Sequence, residues 1–286
     1  MLEYLKLVSN LKNKLDLNKE NPQIKKILER HVYNGLVSDF NKYDRDSLME
    51  KYTEYFRGKE IRCRSIKEGE IYYRGRRGCK YIKLMDDDCS FEGIMPFYGK
   101  DISAVPNILT KGGRFNRSGV SYLYLSTNIE TCLAEVGTLV GESCSIGEFR
   151  ALKNVDFLDL SSFSDETILT LFLSILSMPH TEIHPHVYTI TQFLSDVFRN
   201  INGNGIYFQS TQTGGGNIVV FKPEYFKHVD YTESVYSIKS IRYEYEMDGE
   251  FVTTMKRYKK GTVYSKYDEN ECDTEYIDKL VEKVNI

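Results

Sequence analysis

The hydrophobic pattern of the chain changes near residue 66, and this change limits the folds open to it. Before that point, apolar residues recur every three or four positions, as on one face of a helix. After it, short apolar runs alternate with glycine-containing loops, and two stretches with helical spacing lie between them. Strands and helices mixed within one segment predict an α/β or α+β core domain.

Three parts are therefore expected along the chain: a helical N-terminal extension over residues 1–65, a core domain over 66–235, and a β-rich tail over 236–286 packed on the core. Three apolar stripes in the extension predict a bundle of about three helices, at 2–15, 24–32 and 48–56. In the core domain, apolar runs predict strands at 70–74, 121–126, 155–160, 205–209 and 217–221. Helices are predicted there at 129–140 and 190–200. In the tail, Asp248-Gly249 between alternating runs predicts a β-hairpin.

Composition and charge argue against several classes of protein. The 286 residues carry a net charge of -3, so the chain lacks the basic excess of most nucleic-acid-binding proteins. No apolar run approaches the roughly 20 residues of a membrane helix, and the N-terminus lacks the apolar core of a signal peptide. We therefore expect a cytoplasmic protein with neither a membrane nor a nucleic acid as partner. The 6 cysteines include no CxxC pair, which predicts free thiols.

A strand followed by a helix carries two candidate site residues. Because side chains alternate along a strand, Tyr124 lies on the face opposite Leu123 and Leu125, and it faces either a second core layer or a cleft. The helix is expected to begin with a capping box from Thr127 to Glu130. Glu135 lies at the border of its apolar stripe, where a carboxylate is either solvated or directed into a pocket beside the sheet.

Two further segments have a composition suited to anion or ligand binding. Arg74, Arg76 and Arg77 follow a short strand, and guanidinium groups match phosphate oxygens, although a solvated turn explains the cluster equally well. Ser210 ends a strand before the glycine-rich loop 210–216, which is either a turn or a place where the backbone approaches a ligand closely. The loop matches neither a P-loop nor a dinucleotide fingerprint.

Metal and serine-hydrolase chemistry are not expected. The spacing of His180, His184 and His186 is not that of a helical zinc pair, and Pro185 disfavours a helix there. None of the serines considered as nucleophiles, Ser126, Ser161 and Ser210, lies in a GxSxG elbow.

Over about residues 66–225 the chain resembles the RES domain family, named for its Arg, Glu and Ser. No single motif carries the resemblance; an ordered set of short motifs does. These are Tyr73-Arg74-Gly75-Arg76, Gly113-Arg114-Phe115-Asn116, Tyr122-Leu-Tyr124-Leu-Ser126, Ala134-Glu135-Val136, Gly205-Ile-Tyr-Phe-Gln-Ser210 and Asn217-Ile-Val-Val-Phe221. Compact members of the family lack the N-terminal helices, the insert between Arg77 and Gly112, and the tail.

The resemblance implies an ADP-ribosyltransferase-like α/β fold and the degradation of NAD+, in some members by phosphorolysis. It implies catalytic roles for Arg74, Glu135 and Ser210 and a pocket role for Tyr124. Arg114 would join Arg74 in clamping the pyrophosphate or an attacking phosphate, and Arg76 is a further substrate-binding candidate from the arginine cluster.

These assignments predict an NAD+ phosphorylase or glycohydrolase that acts as a bacterial toxin or defence effector. NAD+ would be its substrate, inorganic phosphate a co-substrate, and no cofactor would be needed. Its restraint is expected to come from an antitoxin or from self-association through the N-terminal helices. Two alternatives stay open: an ADP-ribosyltransferase that modifies a protein or nucleic acid, and a catalytically inactive nucleotide-binding module.

Overall fold

The computed structural model describes residues 35, 38–57, 61–85, 90–161, 186–201, 203–210 and 212–241. The α-helices that lie wholly within these ranges are α1 (Arg45–Arg57), α2 (Ile129–Val136) and α3 (His186–Asn200), and residues 38–42 are helical as well. The strands are β1 (Cys63–Ile66), β2 (Ile71–Arg77), β3 (Lys80–Met85), β4 (Ser90–Met95), β5 (Leu123–Ser126), β6 (Ser143–Ala151), β7 (Val155–Asp159), β8 (Gly205–Gln209), β9 (Gly216–Val220), β10 (Phe226–His228) and β11 (Ser234–Ser237). All of these elements belong to one compact unit, which ends at Lys239.

One large mixed sheet organises the described part of the chain. Its strands follow the order β1-β7-β8-β9-β5-β2-β6-β10, and β11 also pairs with β6. The pair β7 and β8 is parallel, whereas the other neighbours are antiparallel. Along β2, pairing with β6 continues from Ile71 to Arg77, but pairing with β5 occurs at Tyr73 and Ser126. The sheet is therefore continuous on the β6 side and separates on the β5 side beyond Tyr73.

The sheet has a hydrophobic core on each face. The first core receives side chains from α1, α3 and the sheet, among them Tyr52, Phe56, Phe193, Phe198, Tyr122 and Phe208. The second core contains the alternate side chains of the same strands, among them Leu123, Leu125, Phe157, Ile218 and Val220. Tyr124 packs against the first core, so β5 is buried on both faces. This burial explains why β5 lacks the alternation of apolar and polar residues that marks a strand with one solvated face.

The five strands predicted from apolar runs are present, and the α/β fold class is confirmed. Strand β6 was not predicted, because the run from Ser143 to Ala151 contains serines, a glycine and charged residues. The hairpin of β3 and β4, which occupies the insert, was also missed. Within the described residues, no helix is long and apolar enough to cross a membrane.

Two details predicted for α2 were wrong. Asn128 is the N-cap, and its side chain accepts the amide of Thr131, so the capping box expected from Thr127 to Glu130 is not formed. The helix ends at Gly137, which has a positive φ of 67°, instead of continuing to Val140. The apolar stripe therefore stops at Val136.

Only part of the N-terminal extension is described. Its third stripe corresponds to α1, and the expected boundary at residue 65 falls inside β1, which pairs with β7. The first two stripes and the hairpin at Asp248-Gly249 lie outside the described residues.

Candidate active site

A cleft of about 310 Å³ lies where β2 and β5 separate. Its walls come from these strands, α2, β9, the start of α3 and the loop before β5. The side chains that line it include Arg74, Arg114, Tyr124, Glu135, Tyr188 and Asn217. The fold therefore brings together Arg74, Arg114, Tyr124 and Glu135, which are up to 61 positions apart in the sequence.

Glu135 lies in the last turn of α2, and one of its carboxylate oxygens receives two hydrogen bonds. Ser210 Oγ donates to Oε1 at 2.8 Å, and Asn217 Nδ2 donates to the same atom at 2.9 Å. The Asn217 amide is oriented in turn by Ser126, whose hydroxyl donates to Oδ1 at 2.7 Å. Oε2 accepts no hydrogen bond from the described residues, so this oxygen is available to a hydroxyl group of a ligand.

Ser210 reaches Glu135 because the glycine-rich loop after β8 packs on the start of α2. The hydroxyl oxygens of Thr213 and Thr131 lie 2.7 Å apart, and the amide of Gly216 donates to Thr127 Oγ1 at 2.9 Å. A Cβ atom at position 215 would lie 2.0 Å from Thr131 Oγ1, so a glycine is needed for this approach. The backbone of the glycine-rich loop thus closely approaches α2. Ser210 is 4% exposed and supports Glu135 without being part of the cleft lining.

Arg74 is fixed by two backbone carbonyls at the point where the strands separate. Nε donates to the carbonyl of Ile102 at 2.8 Å, and Nη1 donates to that of Tyr124 at 3.1 Å. Burial, and secondarily the charge of Arg76, lowers the pKa of Arg74 to about 10, so the group is a cation at neutral pH. Among the described residues no carboxylate lies within ion-pair distance of it. A desolvated cation without a carboxylate partner favours an anionic ligand.

Tyr124 lines the cleft, and its hydroxyl group is already hydrogen-bonded to the protein. The hydroxyl donates to Asn116 Oδ1 at 2.6 Å, and burial raises the pKa of Tyr124, which keeps the group protonated. Asn116 and Arg114 belong to the same loop, so the contact also helps to hold the segment that carries Arg114.

Of the three clustered arginines, the two that follow Arg74 have other partners. Arg76 is exposed, donates to the carbonyl of Asp101, and lies 5.7 Å from the ring of Phe97. Arg77 donates to the carbonyls of Val136 and Gly137 at the end of α2, where a cation is favourable. Of the three arginines, Arg74 lines the cleft, whereas Arg76 and Arg77 lie outside the cleft lining.

Sequence reasoning did not select Asn217, Ser126 and Asn116 as site residues, although all three are buried and orient groups in the cleft. A signal was present for Asn217, which stands at the head of the apolar run Ile-Val-Val-Phe. A buried amide needs a hydrogen-bond partner, so its place in such a run indicates a polar neighbour.

The cleft contains no side chain activated as a nucleophile among the described residues. Cys132 lines it, but burial raises the pKa of this thiol to about 12, so it stays protonated and unreactive. Within the described ranges, no three His, Cys, Asp or Glu side chains are grouped so that they could hold a metal ion. His180 and His184 lie outside those ranges, and His186 begins α3.

Comparison with known families places the chain. The model of the RES domain matches residues 95–244, just over half of the sequence. The chain belongs to the RES domain family. This confirms the family predicted from the ordered motifs and, with the mixed sheet, the fold class expected of an ADP-ribosyltransferase-like RES domain. The matched range includes Glu135 and Ser210. It begins after Arg74, but Arg74 lines the same cleft as Glu135.

Other comparisons are more distant. Among solved structures, the Mycobacterium tuberculosis MbcT–MbcA toxin–antitoxin complex has a chain that aligns with a TM-score of 0.42 at 14% sequence identity. The alignment covers 68% of this RES protein and 94% of that chain. A search of curated proteins gives no significant match.

Proposed function

We propose that this RES domain cleaves NAD+ between nicotinamide and ribose. The observation that carries the proposal is that Glu135 and Arg74 line the same cleft. The Glu135 carboxylate is held through one oxygen, and Arg74 is a cation with no carboxylate partner among the described residues. A dinucleotide with a cationic ribosyl–nicotinamide end and an anionic pyrophosphate has charges complementary to both groups.

Glu135 is suited to stabilise the reacting ribose. Cleavage of the N-glycosidic bond develops oxocarbenium character at the anomeric carbon, as in glycoside hydrolysis. A carboxylate already fixed by Ser210 and Asn217 needs little reorganisation when this positive charge appears. Its second oxygen would accept a ribose hydroxyl. Ser210 thereby acts as a positioning residue, because its hydroxyl proton is directed to Glu135.

Arg74 and Arg114 would bind the pyrophosphate, and Tyr124 would offer its ring to nicotinamide. The cleft volume of about 310 Å³ is at the lower end for small-molecule sites. It suits the nicotinamide and ribose part of NAD+, so the adenosine part would extend outside. This arrangement places the scissile bond in the cleft and the leaving nicotinamide beside an aromatic ring.

Phosphate or water would supply the attacking oxygen, since the described cleft offers no activated protein nucleophile. In phosphorolysis, a phosphate oxygen forms a bond to the anomeric carbon as the bond to nicotinamide breaks. The electron pair of that bond goes to the ring nitrogen of nicotinamide, and ADP-ribose-1″-phosphate is released. With water as the acceptor, a proton is lost and free ADP-ribose is formed.

In the cell, we infer a toxin or defence effector that depletes NAD+, as the RES family implies. Such an enzyme must be restrained in the cell that makes it. An antitoxin partner, or contacts made by the N-terminal segment, would supply that restraint.

The test uses two matched substitutions on one helix. Glu135→Gln keeps an oxygen for Ser210 and Asn217 but removes the charge, whereas Glu130→Gln changes an exposed residue of the first turn of α2. Purified proteins are incubated with NAD+, and nicotinamide is followed by chromatography. Glu135→Gln should lower kcat by about 10²- to 10³-fold, and Glu130→Gln should change it less than twofold. Equal turnover by wild type and Glu135→Gln would refute the assigned role.

Reactions with and without inorganic phosphate identify the acceptor. A phosphate requirement with ADP-ribose-1″-phosphate as product means a phosphorylase, and ADP-ribose in both reactions means a glycohydrolase. Radiolabel from NAD+ retained on a macromolecule would instead indicate a transferase. NAD+ binding by calorimetry without any turnover would indicate a nucleotide-binding module and would overturn the proposal.

A further inference from the structure

Asp196 on α3 is 5% exposed, and one of its oxygens contacts two arginines from distant parts of the chain. Arg45 Nη2, at the start of α1, lies 2.5 Å from Asp196 Oδ2. Arg117 Nε lies 2.6 Å from the same oxygen. Arg117 belongs to residues 112–119, the segment named here the cleft loop, which also carries Arg114 and Asn116. The buried carboxylate of Asp196 thus joins α1 to the cleft loop, which forms one wall of the cleft.

The cleft loop is attached to α3 at two further points. Thr191 Oγ1 donates to the carbonyl of Arg114, and Gln192 Nε2 donates to the carbonyl of Gly113 at 2.7 Å. Gln192 and Asp196 are four positions apart and therefore share one side of the helix. The cleft loop takes its position from this side of α3, so a shift of α3 would move it.

Helix α1 is packed firmly on the same part of α3. The rings of Tyr52 and Phe193 lie 5.3 Å apart and edge to face, and the Arg45 guanidinium lies 5.9 Å from the ring of Phe193. Tyr52 is fully buried. These contacts give α1 a fixed position from which Arg45 reaches Asp196.

We propose that Asp196 is a positioning residue that couples α1 to the cleft loop and thereby tunes the affinity of the cleft for its substrate. A buried carboxylate needs its cationic partners, so loss of either arginine changes the contact with the other. The substrate side of this inference rests on the proposed function, because it takes the cleft ligand to be NAD+. We expect substrate affinity to change and kcat to stay the same, because Glu135 is held by Ser210 and Asn217, which lie outside this network.

Hydrogen exchange tests the coupling without reference to activity. In the cleft loop and just after it, the amides of Gly113, Gly119 and Val120 donate to backbone carbonyls, so their exchange reports opening of the segment. We compare full-length wild type with Arg117→Met and Arg45→Met, both at partly exposed side chains. The control is Arg62→Met, which removes a guanidinium 3.5 Å from another buried carboxylate, Asp159, outside the cleft loop.

Both Arg117→Met and Arg45→Met should speed exchange of these amides about fivefold, the equivalent of about 1 kcal/mol. Arg62→Met should leave them within twofold of wild type. Arg45→Met is decisive, because within the described residues Arg45 makes no hydrogen bond or ion pair with the cleft loop and is joined to it through Asp196. If its exchange pattern equals that of Arg62→Met, the coupling is overturned.

Kinetics then tests the consequence for substrate. The KM for NAD+ should rise about fivefold in Arg45→Met and more in Arg117→Met, with kcat within twofold of wild type. Asp196→Asn should raise the KM for NAD+ by removing the contacts with both arginines. The KM of the double variant Arg45→Met/Arg117→Met should be close to that of Asp196→Asn, and lower than the product of the two single increases predicts. A fall in kcat at unchanged KM would overturn the positioning role. A wild type that leaves NAD+ intact would refute the proposed function, while the exchange result would still decide the coupling.

Discussion

Arg74 and Arg76 stand two positions apart on β2, yet they have different environments. Beside Arg74, the pairing between β2 and β5 has ended, so its guanidinium donates to the carbonyl of Tyr124 and borders the cleft. Arg76, like Arg74, is paired with β6, but its side chain is exposed and donates to the carbonyl of Asp101 outside the cleft lining. The two arginines therefore differ in environment because Arg74 is held against the carbonyls of Ile102 and Tyr124, whereas Arg76 is exposed to solvent.

The pKa of Arg74 leads to a pH prediction. Burial lowers this pKa to about 10, and a bound pyrophosphate would raise it again, since an anion favours the charged form. Because Arg74 stays charged near neutral pH, affinity for NAD+ should not vary with pH there, and it should fall as the pH rises through about 10 and Arg74 loses its proton. Calorimetry with Glu135→Gln protein, whose slow expected turnover leaves NAD+ intact during the titration, measures this dependence.

The matched control is Arg74→Met in the same Glu135→Gln background. It should bind NAD+ weakly and without the loss of affinity near pH 10. If the Met variant lost affinity over the same range, another group would be responsible.

At the scale of elements, the contact between α2 and β2 sets the position of Glu135. Gly75 lies under the helix, and a Cβ there would be 2.7 Å from Val136 Cγ2 and 2.9 Å from Cys132 Sγ. Such distances are shorter than carbon and sulfur atoms tolerate, so the absence of a side chain lets α2 sit close to the sheet. The glycine of the Tyr-Arg-Gly-Arg motif thus has a packing role.

We predict that Gly75→Ala pushes α2 outwards. Overpacking of this kind should lower the free energy of unfolding by about 1–3 kcal/mol. Because Glu135 moves with the helix, kcat should fall while the bulk fold is retained, as measured by denaturant titration and NAD+ turnover.

Adding Val136→Ala removes the nearer of the two clashing atoms. The double variant should regain part of both the stability and the activity. If Gly75→Ala retained wild-type kcat, the close approach would not be what positions Glu135.

At the scale of the whole molecule, α1 is part of the main core. Phe56 is 1% exposed and packs against Phe198, while Leu48 and Tyr52 complete the same cluster. The segment expected as an N-terminal extension, residues 1–65, therefore contributes α1 to the main core.

A chain that starts at residue 62 should therefore be insoluble, since it lacks the side chains that fill this core. Phe56→Ala in the full chain should lower the free energy of unfolding by about 3–5 kcal/mol. Expression trials and thermal unfolding check both statements.

Glu54→Ala serves as the control, because Glu54 is an exposed residue of the same helix. It should change stability by no more than about 0.5 kcal/mol. A soluble chain from residue 62 with wild-type stability would show that α1 is dispensable.

The resemblance to the RES domain family selected Glu135 and Tyr124 as cleft residues. Sequence patterns by themselves determined the fold class, five of the eleven strands given above, and the places of Glu135 and Tyr124 within their elements. These follow from local patterns: apolar runs fix β8 and β9, and the stripe of α2 fixes which border carries Glu135. The position of Tyr124 relative to Leu123 and Leu125 likewise follows from alternation.

Only the tertiary structure decided which of these residues meet. Strand β2 separates from β5 while its other edge stays paired with β6, a strand whose composition is too mixed to be predicted. The pairing of Ser210 and Asn217 with Glu135 depends on the loop that packs on α2. A local pattern shows which side chains of one segment face water and which face a core. The cleft is formed by several segments and depends on contacts between residues far apart in the chain, for which a single sequence has no local signal.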